Sequence, residues 1–330
     1  MLAATGTVWS AALVLLAGSF AVVSGINDGG ALLSPGLRIP SLSTLFSFCV
    51  LVAATTAGPV LFGTRVAATF LGRLVRFGPD ASGRAALTVG VAVALAVVLL
   101  LSLRGLPTSL TLAVVGGLTG AGLGWGLPVP VASVGTVLLA AALAPVVSSL
   151  IAWLVTRSLR LAGPRRSPAA AAVGRTHRVA FPLQCLAYGA NDGQKMVALC
   201  AVAAGGAATG SVPFGVSALV CCGVLFGLGA LLGLPRAAAS LGSGIVPLRP
   251  LDTVTAELAA AVAVLGSAAL GFPVSMTQSV AGGLFGTGLG TGARRVRWRQ
   301  AGRIGAAWMV TLPLSAGMAA VLAAGVKELV

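Results

Sequence analysis

The chain is a series of apolar runs of membrane-spanning length separated by short basic loops, which leaves few folds open to it. Hydrophobic residues make up 57 % of the 330 positions and charged residues 8 %, against roughly a quarter charged in a soluble domain. Mean hydropathy is +1.04. Runs of this kind cross a bilayer as helices of about 20 residues, so the chain reads as an all-α polytopic membrane protein. The net charge of +15 is no sign of nucleic-acid binding, because Lys and Arg sit in the loops, the bias that sets membrane orientation. The first apolar stretch, Val8 to Val23, lacks a basic n-region and a clear small-residue cleavage site, and reads as a retained helix.

Acidic residues number six: Asp28, Asp80, Asp192, Asp252, Glu257 and Glu328. Two of them lie in duplicated settings, Gly25-Ile26-Asn27-Asp28-Gly29 and Gly189-Ala190-Asn191-Asp192-Gly193. A carboxylate beside membrane-length apolar sequence is expensive and by default marks a substrate or ion pathway. Asp80, Asp252, Glu257 and Glu328 lie near predicted element ends and are expected to face solvent or headgroups. The five cysteines fall in apolar stretches without ligand-like spacing and read as small buried hydrophobes. The single histidine, His177, lies in a basic linker. No His/Cys metal centre can be assembled, and no cofactor is implied.

The duplication extends further. The Asn-Asp motifs are 164 residues apart. Pro107-Thr108-Ser109-Leu110-Thr111 is echoed at an offset of 166 by Pro273-Val274-Ser275-Met276-Thr277, each leading into a glycine-rich apolar run. Pro145 and Pro313 follow at an offset of 168. An ordered series with slow drift argues for two repeats, residues 1–160 and 179–330, joined by a basic linker at 161–178. Helices are expected at about 7–28 and 179–200, 41–62 and 211–233, 85–103 and 254–270, and 129–156 and 304–326, with short segments at about 65–76 and 236–247. The Pro-x-Ser-x-Thr segments read as discontinuous or re-entrant helices.

Charge sets the relative orientation of the halves. The loop Gly124 to Pro130 has no charge, whereas its counterpart carries Arg294, Arg295, Arg297, Arg299 and Arg303. Equivalent loops of opposite character imply inverted topology, with an odd number of crossings in each half. With the linker in the cytoplasm, both termini are outside the cell membrane. Sixteen Lys/Arg then fall inside and four outside (Arg65, Arg104, Arg249 and Lys327), with Lys195 in a motif.

In such a design broken helices converge near the midplane on one site. Glycines around each Asn-Asp allow the backbone to leave helical geometry. Asp28 and Asp192 supply negative charge for coupling cations, sodium or protons. Asn27, Asn191, Gln194 and Gln278 supply amides, and Ser109, Thr111, Ser275 and Thr277 supply hydroxyls. Lys195 either pairs with Asp192 on one helical face or touches an anion. Hydroxyls and backbone N–H groups at half-helix N-termini suit an oxyanion. Carboxylates beside it require that cations come too. The bland readings are a turn for each Asn-Asp-Gly and helix capping for each Ser or Thr; the paired occurrence argues against them.

Gly189-Ala190-Asn191-Asp192-Gly193-Gln194-Lys195 closely resembles the Gly-x-Asn-Asp-Ala-Gln-Lys signature of the PiT family of inorganic phosphate transporters. Pro273 to Gln278 resembles that family's Pro-Val-Ser-Thr-Thr-His motif, and Pro107 to Leu112 and Gly25 to Gly29 look like the first-half copies. The departures are Ala31, where the family usually has a polar residue, and Leu112 and Gln278, where it has histidine. The resemblance implies an inverted-repeat symporter moving phosphate with sodium or protons, or as a metal–phosphate complex. In it the paired Asp and Asn and the Ser/Thr segments form the anion and cation sites. A sodium-coupled version would hold its metal ion at Asp28 and Asp192. Membrane lipid is the surrounding partner, and a homo-oligomer is left open.

Three rivals remain. A sulfate permease of the same family is the nearest. An intramembrane aspartyl hydrolase would use the two aspartates, but the chain lacks the Tyr-Asp and Gly-x-Gly-Asp patterns. A passive channel would need no cation site. No ATP-binding P-loop is present, so the chain is not expected to be a self-contained pump or an enzyme.

Overall fold

The structure is a computed structural model describing residues 2–37, 39–104, 108–162, 170–204, 215–240, 244–247 and 249–329. Leu106, Pro107 and the linker Gly163-Pro164-Arg165-Arg166-Ser167-Pro168 lie outside the described residues. Among the described residues every regular element is helical. The first half holds α1 (Leu2–Ser24), π1 (Gly25–Gly29), α2 (Gly30–Gly36), α3 (Thr44–Phe62), α4 (Arg65–Ala68), π2 (Thr69–Arg73), α5 (Ala81–Leu103), α6 (Leu110–Trp125) and α7 (Val131–Leu161). The second holds α8 (Ala170–Tyr188), π3 (Gly189–Gly193), α9 (Gln194–Ala203), α10 (Val216–Ser240), α11 (Pro250–Ala269), α12 (Met276–Thr291), a 3₁₀ turn (Ala293–Arg295) and α13 (Trp298–Lys327). Seven helical stretches among the described residues are long and apolar enough to cross a membrane.

Helices α6 and α12 have 16 residues each, short of the 20 or so that span a bilayer core. Both start at a serine N-cap and both end at a glycine with positive φ, Gly126 and Gly292, again 166 apart. These are the interrupted helices expected from the Pro-x-Ser-x-Thr segments.

The halves exchange partners. α6 packs on α13 and α12 on α7, while α10 packs on α1 and π1, and α3 on α8 and π3. Glycine rows make these contacts backbone to backbone. A Cβ at Gly120 would lie 2.1 Å from Ala316 O, and one at Gly286 would lie 2.0 Å from Ser149 O. At the motifs, a Cβ on Gly189 would meet Ala54 O at 2.1 Å, and one on Gly25 would meet Phe226 O at 2.1 Å. Lipid tails are as apolar as Leu, so close packing of small residues is what holds such helices together.

Several expectations are corrected. The Asn-Asp motifs do not unwind: each widens a continuous helix by one π turn, as a single inserted residue does in an α-helix. His177 is on α8, 1 % exposed, and its Nδ1 lies 2.9 Å from Glu257 Oε2 on α11. Glu257 is thus buried rather than facing headgroups, because it has a partner. Asp252 is buried as well, at the first turn of α11, in the field of Arg295 and Arg249. Cys49 and Cys221 are exposed on the outward faces of α3 and α10, unlike buried Cys185 and Cys222.

Three basic groups sit at the opposite end from that expected. Trp125 Nε1 donates to Ser82 Oγ at 2.7 Å, and Arg84 reaches Ser10. α5 runs antiparallel to α6, so Arg84 and the preceding Arg73 and Arg76 share an end with the 126–130 loop, whereas Arg104, past the far end of this 23-residue span, does not. Arg297 donates to Gly244 O and Arg295 to Pro247 O, which places Arg249 at the end of the Arg294–Arg303 cluster.

Candidate functional site

The two motif turns lie on facing sides of the bundle, and the N-termini of α6 and α12 meet between them. Each motif asparagine holds the extended segment that leads into the short helix of its own half. Asn191 Nδ2 donates to Phe272 O at 2.9 Å, and its Oδ1 accepts from Val274 N at 3.1 Å. Asn27 Oδ1 accepts from the Thr108 hydroxyl at 3.2 Å. These contacts fix where α6 and α12 begin. Both asparagines were expected to face the substrate, and Asn191 has both polar atoms of its carboxamide engaged in this positioning. Gln194 is likewise occupied: its Oε1 accepts from Val66 N and Ala67 N at 2.9 and 3.2 Å, and its Nε2 donates to Ala190 O at 2.6 Å. It caps α4 rather than facing the centre, because the first amides of that helix have no intrahelical acceptor.

The carboxylates differ. Asp28 Oδ1 accepts from Asn27 Nδ2 at 2.7 Å, and Oδ2 from the Tyr188 hydroxyl at 3.3 Å. Both donors are neutral. Asp192 Oδ1 receives Lys195 Nζ at 2.7 Å, and the carboxylate also faces the Met276 backbone N–H at the start of α12. Lys195 also donates to Thr111 Oγ1 at 2.8 Å and to Val274 O at 2.6 Å. An ammonium has three N–H donors, so all three are matched. Of the two expectations for Lys195, pairing with Asp192 is the one observed. The two aspartates lie close enough to act on each other electrostatically.

The hydroxyls line the junction. Ser109 Oγ caps Leu112 N and Ser275 Oγ caps Gln278 N, at 3.3 and 3.4 Å. Ser275 and Thr277 share a hydrogen bond of 3.0 Å, and Thr111 donates to Val274 O at 3.0 Å. Capping, the bland reading for the serines, is therefore correct, and it coexists with a place at the centre. Gln278 is buried with its Oε1 unpartnered. Two helix N-termini thus converge on one enclosed point, each with a positive dipole end, and Asp28 and Asp192 stand beside it. The sequence reading missed Tyr188 and Thr108. Tyr188 is the chain's only tyrosine and directly precedes a motif, a signal that was present but unread. A crevice of about 950 Å³ between α7, α12 and α13 meets this point only at Leu112 and Gln278. Its lining is otherwise largely apolar, with Ser149, Trp153, Trp298 and Trp308 the polar exceptions, and it carries no charged side chain.

Buried carboxylates facing paired half-helix ends inside a multi-pass helical bundle define a membrane transporter. The chain belongs to the phosphate transporter family, whose pattern matches residues 24–182 and 179–319. It is 31 % identical to the "Probable low-affinity inorganic phosphate transporter" of Mycobacterium leprae, over 94 % of this chain and 76 % of that protein. It is 36 % identical to the protein of the same description from Mycobacterium bovis, over 66 % of this chain, and spans about half of that relative, 54 %. The Bacillus subtilis protein so described is 23 % identical over 94 % of both chains. A solved structure, "The sodium-dependent phosphate transporter", superposes with a TM-score of 0.82 over 98 % of this chain and 100 % of that one, at 18 % identity. The likeness confirms the all-α multi-pass fold, and the family is one of transporters, not enzymes.

Proposed function

We propose that the protein takes up inorganic phosphate by secondary active transport, driven by sodium ions or protons. Phosphate sits between the N-termini of α6 and α12, held by their first amides and by Ser109, Thr111, Ser275, Thr277 and Gln278. Asn27, Asn191, Gln194 and Lys195 shape that site. Asp28 and Asp192 provide the countercharge that makes cations travel with the anion. The two halves, α1 to α7 and α8 to α13, are inverted repeats, the second starting at α8 rather than at residue 179. The connection between α7 and α8 is cytoplasmic and both termini are outside.

The observation that carries this reading is the meeting of two helix N-termini beside two buried carboxylates, only one of which has a cationic partner. A divalent phosphate there, with Asp28, Asp192 and Lys195, leaves about three unmatched negative charges, each costing several kcal/mol if buried alone. Two or three accompanying cations remove that cost, and alternating exposure of one site then couples the fluxes. Support for inversion comes from α6 and α12, which start at one point and run apart. α6 ends where the 31-residue α7 begins, whereas Arg160, near the end of α7, donates to Gly290 O at the end of α12.

The test is reconstitution in liposomes, with labelled phosphate and labelled sulfate offered under imposed sodium or proton gradients. Gradient-driven accumulation of phosphate is expected. Accumulation of sulfate alone would make the protein a sulfate permease, and flux that only dissipates a gradient would make it a channel.

A further inference from the structure

The offset that relates the motifs, 164, pairs Asp192 with Asp28 and Lys195 with Ala31. One carboxylate therefore has a lysine one helical turn away, and its counterpart has a methyl group. The surroundings of the ammonium are specific. Lys195 is 2 % exposed and takes a carboxylate oxygen, a hydroxyl oxygen and a backbone carbonyl oxygen at 2.6–2.8 Å. These come from three elements: π3, the first turn of α6, and the extended segment before α12. A set of carboxylate, hydroxyl and freed carbonyl oxygens is what transporters offer to small monovalent cations where helices break. On the Asp28 side, the oxygens meet only Asn27 and Tyr188, and the Lys195 charge acts from beyond ion-pair distance.

Resting on the transport reading above, we propose that Lys195 is a tethered cation. It permanently fills one of two repeat-related cation positions, so that a mobile coupling ion is needed at Asp28 but not at Asp192. The ammonium also bridges the two half-helix ends through Thr111 and Val274, as a bound ion would, but it stays with the protein when the site empties. The coupling ratio is then one cation per phosphate lower than two symmetric carboxylates would require. Asp192 Oδ2 remains as an acceptor within a neutralised pair. Because Lys195 acts through Asp192, Thr111 and Val274, it is a specificity-determining and positioning residue for the coupling ion. Its three N–H groups leave none for the phosphate.

The experiment measures the cation-to-phosphate ratio in proteoliposomes, from the membrane voltage at which labelled phosphate flux reverses under fixed sodium, proton and phosphate gradients. Lys195→Ala removes the charge and leaves room for an ion. The expected ratio rises by one cation per phosphate, with a steeper dependence of uptake on cation concentration. The double variant Asp192→Asn, Lys195→Ala removes carboxylate and ammonium together, so whatever flux it retains is expected to run one cation per phosphate below that of Lys195→Ala. An unchanged ratio in active Lys195→Ala overturns the proposal. So does an inactive Lys195→Ala whose purified protein binds no more cations per chain than the wild type does. Wild-type protein that moves no phosphate would instead overturn the functional reading itself.

Discussion

Removing one partner of the His177–Glu257 pair should cost far more than removing both. His177 Nδ1 and Glu257 Oε2 are 2.9 Å apart at 1 % and 3 % side-chain exposure. Gly36 closes the pocket, since a Cβ there would lie 3.0 Å from the imidazole. Glu257 Oε1 already lacks a partner, so His177→Ala strands the whole carboxylate. Breaking a buried pair in this way costs about 3–5 kcal/mol, whereas replacing both members with apolar residues of similar volume is often neutral. Glu257→Gln keeps an acceptor for the imidazole and should lose only about 1–2 kcal/mol. At about 2 °C per kcal/mol for a chain of this size, His177→Ala should lower the melting temperature in detergent by about 6–10 °C. The double variant His177→Leu, Glu257→Met should regain most of that. The assay is thermal unfolding of purified protein followed by size-exclusion fluorescence, read as a double-mutant cycle. A His177→Ala protein melting within 2 °C of wild type, on the order of 1 kcal/mol, or a double variant as unstable as the single one, would refute the reasoning.

Asp28→Asn should abolish gradient-driven uptake, because a unit charge about 4 Å from a bound cation is worth roughly 4 kcal/mol at an effective dielectric of 20, or about a thousandfold in cation affinity. Asp80→Asn, at an exposed position, should be silent in the same uptake assay. Single cysteines in 124–130 and in 294–303, in a cysteine-free background, should react with an impermeant thiol reagent from opposite sides; labelling from one side would exclude inverted repeats. Arsenate, matching phosphate in shape and charge, should compete for uptake well and sulfate poorly, and the reverse order would favour a sulfate carrier. Gly286→Val should sharply reduce the yield of monodisperse protein, since even a Cβ would lie 2.0 Å from Ser149 O, whereas Gly302→Val, with nothing within 4 Å, should not.

The architecture was legible because membrane helices announce themselves by composition, and because duplication supplied an internal alignment. Asp28, Asp192, Ser109 and Ser275 were found through that alignment and do lie together. Less legible were contacts between residues distant in sequence but alike in neither half. Tyr188 reaches Asp28 across 160 positions, and nothing in either motif spells out that approach. Gln194 looked like a ligand because it is polar and inside a motif, yet its geometry serves the start of α4. His177 and Glu257 looked peripheral because each was judged by its neighbours in sequence, and a buried pair is visible only once α8 and α11 are side by side. The placement of Arg73–Arg84 went astray for a related reason: the direction of a half-length helix cannot be counted from apolar runs.

The exchange of helices between halves has a mechanical consequence. With α6 seated on α13 and α12 on α7 through glycine rows, the pieces able to move as rigid bodies are not the two halves of the sequence. Each piece is a clasp of one strand of chain from either half, meshed like gear teeth at a pitch of four residues. Sliding by less than a full tooth drives backbone into backbone, so the clasps can pivot but not creep. On the alternating-access reading proposed above, a rocking step would separate α6 from the segment before α12 at Thr111 and Val274, which share a hydrogen bond. The segment that opens would then be the one that holds the Lys195 ammonium.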